Sequence, residues 1–146
     1  MGSIVRILVF TEGTIIDDRA RDGQWKLFGN AAEKLRAWEN NGATIVYLSS
    51  KRNSESLERV RRTLREGKAP EGELLYRKGD EDYGDVAAGA LPDVIVEDDC
   101  RSIGGEAQMT YPKLKPGLKE RVRSVVVPEF AGIDHLPEDP RELNTA

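Results

Sequence analysis

The 146-residue sequence has few of the residues that build disulfides, thiolate metal centres and membrane spans. Its one cysteine, Cys100, excludes an intramolecular disulfide and a metal site made of cysteines alone. No apolar stretch approaches the ~20 residues of a membrane-spanning helix, and no secretory signal is visible at the start. We therefore expect a reducing, cytoplasmic setting and no membrane partner.

Neither sign of charge dominates the chain. There are 22 basic and 26 acidic residues, a net charge of -4, so a nucleic-acid partner is not expected. With 38% hydrophobic and 33% charged residues, the composition is typical of a globular protein. The chain also lacks a glycine-rich phosphate fingerprint, which counts against a plain nucleotide-binding flavodoxin-like fold.

Strand and helix patterns alternate along the sequence. Near-continuous apolar runs predict strands that are buried on both faces, at 5–10, 43–48, 74–76, 93–96 and 125–127. Between them, the sequence predicts a helix from the Asn30 cap to Asn41-Gly42 and an amphipathic helix from an Asn53 or Ser54 cap to Gly67. It also predicts a weaker, glycine-containing helix at 80–90 and a basic helix of roughly two turns after Lys115-Pro116. This alternation predicts an α/β three-layer sandwich with a mainly parallel sheet.

The predicted elements fit one domain, over residues 1–137, followed by a frayed charged tail at 138–146. The longest connection, 11–29, is too short for a large cap domain and suits a flap or lid. A short lid leaves room for a second subunit, so a homo-oligomer is compatible with the sequence.

Polar residues follow three of the predicted strands: 11–14 (Thr-Glu-Gly-Thr), 49–52 (Ser-Ser-Lys-Arg) and 97–99 (Glu-Asp-Asp). Right-handed crossovers place these strand ends at one edge of the sheet, where ligands bind in such folds. Simpler interpretations stay open for each loop. The serines could cap a helix or bind an anion, and Lys51 and Arg52 could be surface charges. The acidic triplet could be a solvated turn or, because its carboxylates repel one another, a divalent-cation site.

The three loops together resemble the haloacid dehalogenase (HAD) superfamily of phosphohydrolases. In that superfamily the first loop reads Asp-x-Asp-Gly-Thr, the second strand ends in Ser or Thr, and the fourth ends in paired acids. The resemblance covers about residues 4–105 and includes Tyr47-Leu48-Ser49-Ser50-Lys51-Arg52 as a second motif. It implies a Rossmann-like sheet of the HAD type, a small phosphorylated ligand and Mg²⁺ as cofactor.

Site roles follow from the same resemblance. It implies that Glu12 is the general acid/base and that Lys78, or less securely Arg77, neutralises developing charge. The phosphate-binding residues that it implies are Gly13, Thr14, Ser49, Ser50 and Lys51. The metal ligands that it implies are Glu12, through its backbone carbonyl, Asp98 and Asp99.

Position 10 departs from the resemblance. The attacking aspartate of the superfamily corresponds to Phe10, which can neither attack phosphorus nor ligate Mg²⁺. Losing the nucleophile of a covalent mechanism costs many orders of magnitude in rate. The sequence therefore predicts an atypical HAD-like protein that binds a phosphorylated ligand and Mg²⁺, with weak or non-standard phosphohydrolase activity. The alternative is a non-catalytic HAD-like binding or interaction module.

Overall fold

The computed structural model describes residues 5–20 and 23–143. Its strands, in chain order, are β1 (Val5–Phe10), β2 (Ile16–Asp17), β3 (Lys26–Leu27), β4 (Ala43–Leu48), β5 (Leu74–Leu75), β6 (Val94–Asp98) and β7 (Arg123–Val127). Five of them form a parallel sheet in the order β5-β4-β1-β6-β7. The other two, β2 and β3, form a small antiparallel hairpin within the connection after β1. The mainly parallel sheet predicted from the sequence is confirmed.

Strand β1 lies at the centre of the sheet and sets the position of the loops. It pairs with β4 from Val5 opposite Ala43 to Phe10 opposite Leu48. On its other side, β1 pairs with β6, with Val9 opposite Val96. Because these pairings are parallel and in step, the loops that follow β1, β4 and β6 leave the sheet at the same edge.

The helices are α1 (Ala31–Asn40), α2 (Ser54–Glu66), α3 (Tyr83–Ala90) and α4 (Pro116–Lys119). The prediction of a two-turn basic helix is wrong, since α4 has four residues. Only residues 120–122 separate α4 from β7, so the helix must end early for the chain to enter strand β7. In residues 5–20 and 23–143, no helix has both the length and the apolarity needed to cross a membrane.

Hydrophobic residues pack on both faces of the sheet, which confirms the three-layer arrangement without a large cap in the described residues. One face of β1, with Ile7 and Val9, packs against α1 and α2 side chains such as Trp38 and Val60. The opposite face, with Leu8 and Phe10, packs in a second cluster with α3 side chains. The alternation of side chains along β1 thus supplies both cores.

The sequence predicts a frayed tail at 138–146, but residues 138–143 pack against the domain. Leu143 is fully buried in the core on the α1 and α2 side of the sheet. Arg123 Nη1 donates hydrogen bonds to the carbonyl oxygens of Arg141 and Leu143. One buried leucine and these backbone acceptors hold the segment in place despite its charged composition. Residues 144–146 lie outside the described residues.

Candidate functional site

The loops at the carboxyl edge enclose a cavity of about 290 Å³. Its walls come from the loops after β1, β4, β6 and β7, from Asp18 and Arg19 in the connection after β1, and from the start of α3. Four of the site residues predicted from the sequence line it, Glu12, Gly13, Ser50 and Asp98, together with Phe10. The convergence expected for parallel strand ends therefore occurs.

An aromatic wall takes the position that the resemblance gives to the attacking aspartate. Phe10 ends β1 and lines the cavity, and its ring meets that of Tyr83 edge-on, with centroids 5.3 Å apart. The guanidinium carbon of Arg77 lies 4.4 Å from the centroid of the Tyr83 ring. Burial raises the pKa of Tyr83, so its hydroxyl stays neutral near pH 7. Phe10 is therefore packed into this wall as an apolar residue.

Glu12 turns its carboxylate toward the loop after β4. Its Oε1 accepts hydrogen bonds from the backbone N–H of Ser50 at 2.6 Å and from Ser50 Oγ at 2.9 Å. Its Oε2 accepts from Ser49 Oγ at 2.8 Å and from Thr11 Oγ1 at 2.7 Å. Each carboxylate oxygen thus has two donors, and the group is only 7% exposed. The serines therefore bind Glu12 in this conformation.

Gly13 and Thr14 join the first loop to the end of β6. Gly13 has φ +83°, and a Cβ there would lie 3.1 Å from both carboxylate oxygens of Asp98. Thr14 Oγ1 donates to Asp98 Oδ1 at 2.8 Å and accepts from the Asp98 backbone N–H at 2.9 Å. Glycine is required here both by the left-handed backbone and by the close approach of Asp98.

The three acids that end β6 have different surroundings. Glu97 lies away from the cavity and accepts hydrogen bonds from the backbone N–H groups of Thr110 and Tyr111, at 2.7 and 3.0 Å. Asp98 lines the cavity, and burial raises its pKa. Asp99 accepts from two backbone N–H groups, those of Arg101 and Glu129. Of the triplet, Asp98 alone is a cavity residue.

The predicted basic residues lie outside the lining of this cavity. Lys51 Nζ pairs at 2.7 Å with Asp18, which lines the cavity. Lys78 Nζ lies 5.1 Å from the ring centroid of Tyr76 and lines a different cavity. Arg77 is nearer, since it stacks on Tyr83, a cavity residue. The roles given to Lys51 and Lys78 stay predictions.

The electrostatic balance of the cavity is acidic. Four carboxylates line it, those of Glu12, Asp18, Asp98 and Glu129, against the one guanidinium of Arg19. Within residues 5–20 and 23–143, no group of three or more His, Cys, Asp or Glu side chains is arranged to hold a metal ion. Mg²⁺ is commonly held by one or two carboxylates together with substrate phosphates and water. The carboxylates of this cavity therefore fit Mg²⁺ only if a bound ligand supplies further oxygen atoms to the metal.

Glu129 and Phe130, which follow β7, are among the cavity residues that the sequence analysis missed. Both carboxylate oxygens of Glu129 accept hydrogen bonds from Ser102, each at 2.8 Å. The Phe130 N–H donates to the carbonyl of Gly13 at 2.9 Å, and Arg19 stacks on the Phe130 ring at 4.0 Å. Their position directly after the last parallel strand is the signal that could have found them.

A larger cavity, about 580 Å³, lies elsewhere, between α2 and the segment before β5. Its lining includes Tyr47, Arg61 and Leu64 and none of the site residues predicted from the sequence. Tyr47 donates its hydroxyl hydrogen to the Pro70 carbonyl at 2.7 Å. The volume of a cavity alone therefore does not identify the one that contains the predicted site residues.

Comparison by sequence finds no protein family and no curated protein that matches the chain. Comparison by structure finds a chain of the Pnkp1/Rnl/Hen1 complex, with a TM-score of 0.62 and 14% identity. The match covers 87% of this chain and 47% of that one, so this chain spans about half of its length. At this identity the likeness shows the fold alone.

Two further structures are less similar. The D,D-heptose 1,7-bisphosphate phosphatase from Burkholderia thailandensis has a TM-score of 0.44 at 11% identity, over 87% of this chain and 94% of that one. A protein assigned to the HAD family of hydrolases, from Streptomyces avermitilis, has 0.46 at 17% identity, over 88% and 85%. Both scores are too low to bear on the site. The five-stranded parallel sheet, with the motif loops at its carboxyl edge, is the arrangement that the resemblance of the motifs implied.

Proposed function

We propose that this chain, on its HAD-like fold, binds a small phosphorylated ligand together with Mg²⁺ in the 290 Å³ cavity and forms no aspartyl-phosphate. The observation that supports this most directly is the Phe10 ring at the end of β1, packed against Tyr83. A hydrocarbon ring has no lone pair with which to attack phosphorus. The proposal is thus a binding protein built on a phosphohydrolase-like scaffold.

The size and donors of the cavity support a small ligand. Its volume is near the lower end of the range of small-molecule sites. Ser50 supplies a backbone N–H and a hydroxyl at one wall; both donate to Glu12 in this structure, and both would suit phosphate oxygens once that carboxylate moves away. Phe10, Tyr83 and Phe130 supply apolar surface for the rest of a ligand. A phosphate monoester with a short organic part has this combination of properties.

Mg²⁺ would be held by Asp98 and the phosphate oxygens of the ligand. Asp98 is buried at the cavity wall with only neutral groups as hydrogen-bond donors, Thr14 and the Cys100 N–H. A cation beside it would favour its charged form, which burial disfavours. When bound, the metal would offset the negative charge that the cavity carboxylates and a phosphate share.

The first experiment measures turnover and binding in parallel. The purified chain is assayed with Mg²⁺ and Mn²⁺ against p-nitrophenyl phosphate and a panel of phosphate esters, and its melting temperature is recorded with each. We expect no turnover above buffer, and a rise in melting temperature with at least one ester that requires the metal. Asp98→Asn should abolish the metal-dependent part of that rise. An absent rise with every ester would contradict the proposal.

A catalytic outcome is distinguished by two substitutions. Turnover that disappears in both Glu12→Gln and Asp98→Asn would instead establish a phosphohydrolase that uses Glu12 or water in place of the missing aspartate. Phe10→Asp tests the missing group directly, with Phe10→Leu as an apolar control. If Phe10→Asp gains activity and Phe10→Leu does not, the missing aspartate at position 10 is the reason that the wild type lacks activity.

A further inference from the structure

The loop after β4 forms a set of hydrogen-bond donors that converge on one point, and a side chain of the protein occupies that point. Ser49 Oγ, Ser50 Oγ and the Ser50 N–H all donate to the Glu12 carboxylate, within 2.6–2.9 Å. The Ser49 hydroxyl is also held in place, because its oxygen accepts from the Lys51 N–H at 3.0 Å. Three donors fixed around one anion form an oxyanion site.

We infer that Glu12 acts as an internal occupant of this oxyanion site and limits the binding of phosphate to it. The inference rests on the proposed function, because the same cavity would take the phosphoryl group. A hydroxyl has one hydrogen to donate. Ser49 and Ser50 already donate to Glu12. A phosphate oxygen can therefore accept hydrogen bonds from these hydroxyls only after the Glu12 carboxylate moves away.

Charge adds to this competition. The Glu12 carboxylate lines the cavity, so a phosphate that enters meets both occupied donors and a negative charge. A hydrogen bond to a charged group contributes about 1.5–3 kcal/mol, or roughly tenfold to a hundredfold in affinity. Freeing the serines should therefore increase phosphate affinity by at least about tenfold.

The experiment measures the dissociation constant of inorganic phosphate by isothermal titration calorimetry, for the wild type and for Glu12→Ala. Each protein is titrated in EDTA and again in Mg²⁺. The gain of at least about tenfold in Glu12→Ala should already appear in EDTA, because it comes from freed donors. It should disappear in the double variant Glu12→Ala/Ser49→Ala. A folded Glu12→Ala that binds phosphate no more tightly than the wild type overturns the inference.

Glu129→Ala is the matched control. It removes one carboxylate from the same cavity but leaves the serines bound to Glu12, since Glu129 is held by Ser102. A gain in Glu129→Ala equal to that in Glu12→Ala would assign the effect to charge alone and overturn the inference. If Glu12→Ala does not fold, Glu12→Gln decides, because its amide removes the charge and replaces one acceptor by a donor. A folded Glu12→Gln with wild-type phosphate affinity is then the contradicting result.

The outcomes separate this inference from the proposed function. Binding of phosphate by Glu12→Ala but not by the wild type, together with no ester that stabilises the wild type, supports the inference and overturns the proposed function. Equal, tight binding by both proteins leaves the proposed function standing and overturns the inference. No binding of phosphate by either protein overturns the inference, and it overturns the proposed function as well only if no ester stabilises the wild type.

Discussion

Two buried glutamates lie at the carboxyl edge of the sheet, and their hydrogen-bond partners differ. Glu97, 1% exposed, accepts from the backbone N–H groups of Thr110 and Tyr111 and has no face on the cavity. Glu12, 7% exposed, accepts mainly from serine and threonine side chains and lines the cavity. Burial of an acid at a strand end therefore does not by itself identify a functional residue.

The difference lies in what can replace each carboxylate. The donors to Glu97 are the N–H groups of buried Thr110 and half-buried Tyr111, neither of which lines the cavity, so removal of the carboxylate leaves them without that acceptor. The donors to Glu12 adjoin a cavity, where water or a ligand anion can take its place. Glu97 should therefore matter for stability, and Glu12 for binding. The following substitutions test this division.

The largest loss of stability is expected for Glu97→Ala. It leaves the N–H groups of Thr110 and Tyr111 unsatisfied, and hydrogen bonds to a charged acceptor are worth about 1.5–3 kcal/mol each. We expect the free energy of unfolding, measured in urea, to fall by about 3 kcal/mol. Glu97→Gln, which keeps one acceptor, should lose less. A loss of less than about 1 kcal/mol would contradict the assignment of Glu97 to stability.

Thr14→Val should have the next largest effect. The hydroxyl of Thr14 both donates to the Asp98 carboxylate and accepts from the Asp98 N–H. At about 1.5 kcal/mol for the hydrogen bond to the carboxylate and about 1 kcal/mol for the one from the N–H, we expect a loss of about 2.5 kcal/mol in urea unfolding. Thr14→Ser keeps the hydroxyl and serves as the control. Similar losses in the valine and serine variants would assign the effect to packing.

Glu12→Ala should cost less stability than Glu97→Ala, although it removes more hydrogen bonds. Water from the cavity can satisfy the freed donors of Ser49 and Ser50, so we expect a loss of about 1 kcal/mol in phosphate-free buffer. The measurement is urea unfolding beside the Glu97 variant. If Glu12→Ala is the less stable of the two, the proposed division between the glutamates is reversed.

The smallest effect is expected for Lys51→Met. Lys51 pairs with Asp18, and the two side chains are 26% and 21% exposed. Partly exposed ion pairs are worth about 0.2–1 kcal/mol, so the loss in thermal or urea unfolding should stay below about 1 kcal/mol. Arg61→Met, at a more exposed pair with Glu58, is the control. A loss above about 2 kcal/mol would contradict this and show that the Lys51–Asp18 ion pair stabilises the fold.

Some parts of the site could be predicted from residue types and strand order. Phe10, Glu12, Gly13 and Asp98 follow or end apolar strands, and parallel topology brings such ends together. The partner of each side chain could not be predicted, because it depends on rotamers and on register across the sheet. The acidic triplet illustrates the limit, since strand alternation sends Glu97 and Asp98 to opposite sides.

The sequence by itself determined the α/β class, the parallel sheet and the edge at which the polar loops meet, because hydrophobic periodicity can be read along the chain and crossovers between parallel strands have one handedness. It also determined that Phe10 stands where an attacking group would be expected. Only the tertiary structure decided that Glu12 accepts hydrogen bonds from Ser49 and Ser50. It also decided that Leu143 is buried in the core. Both are contacts between residues far apart in the chain, so they form only once the sheet brings their segments together.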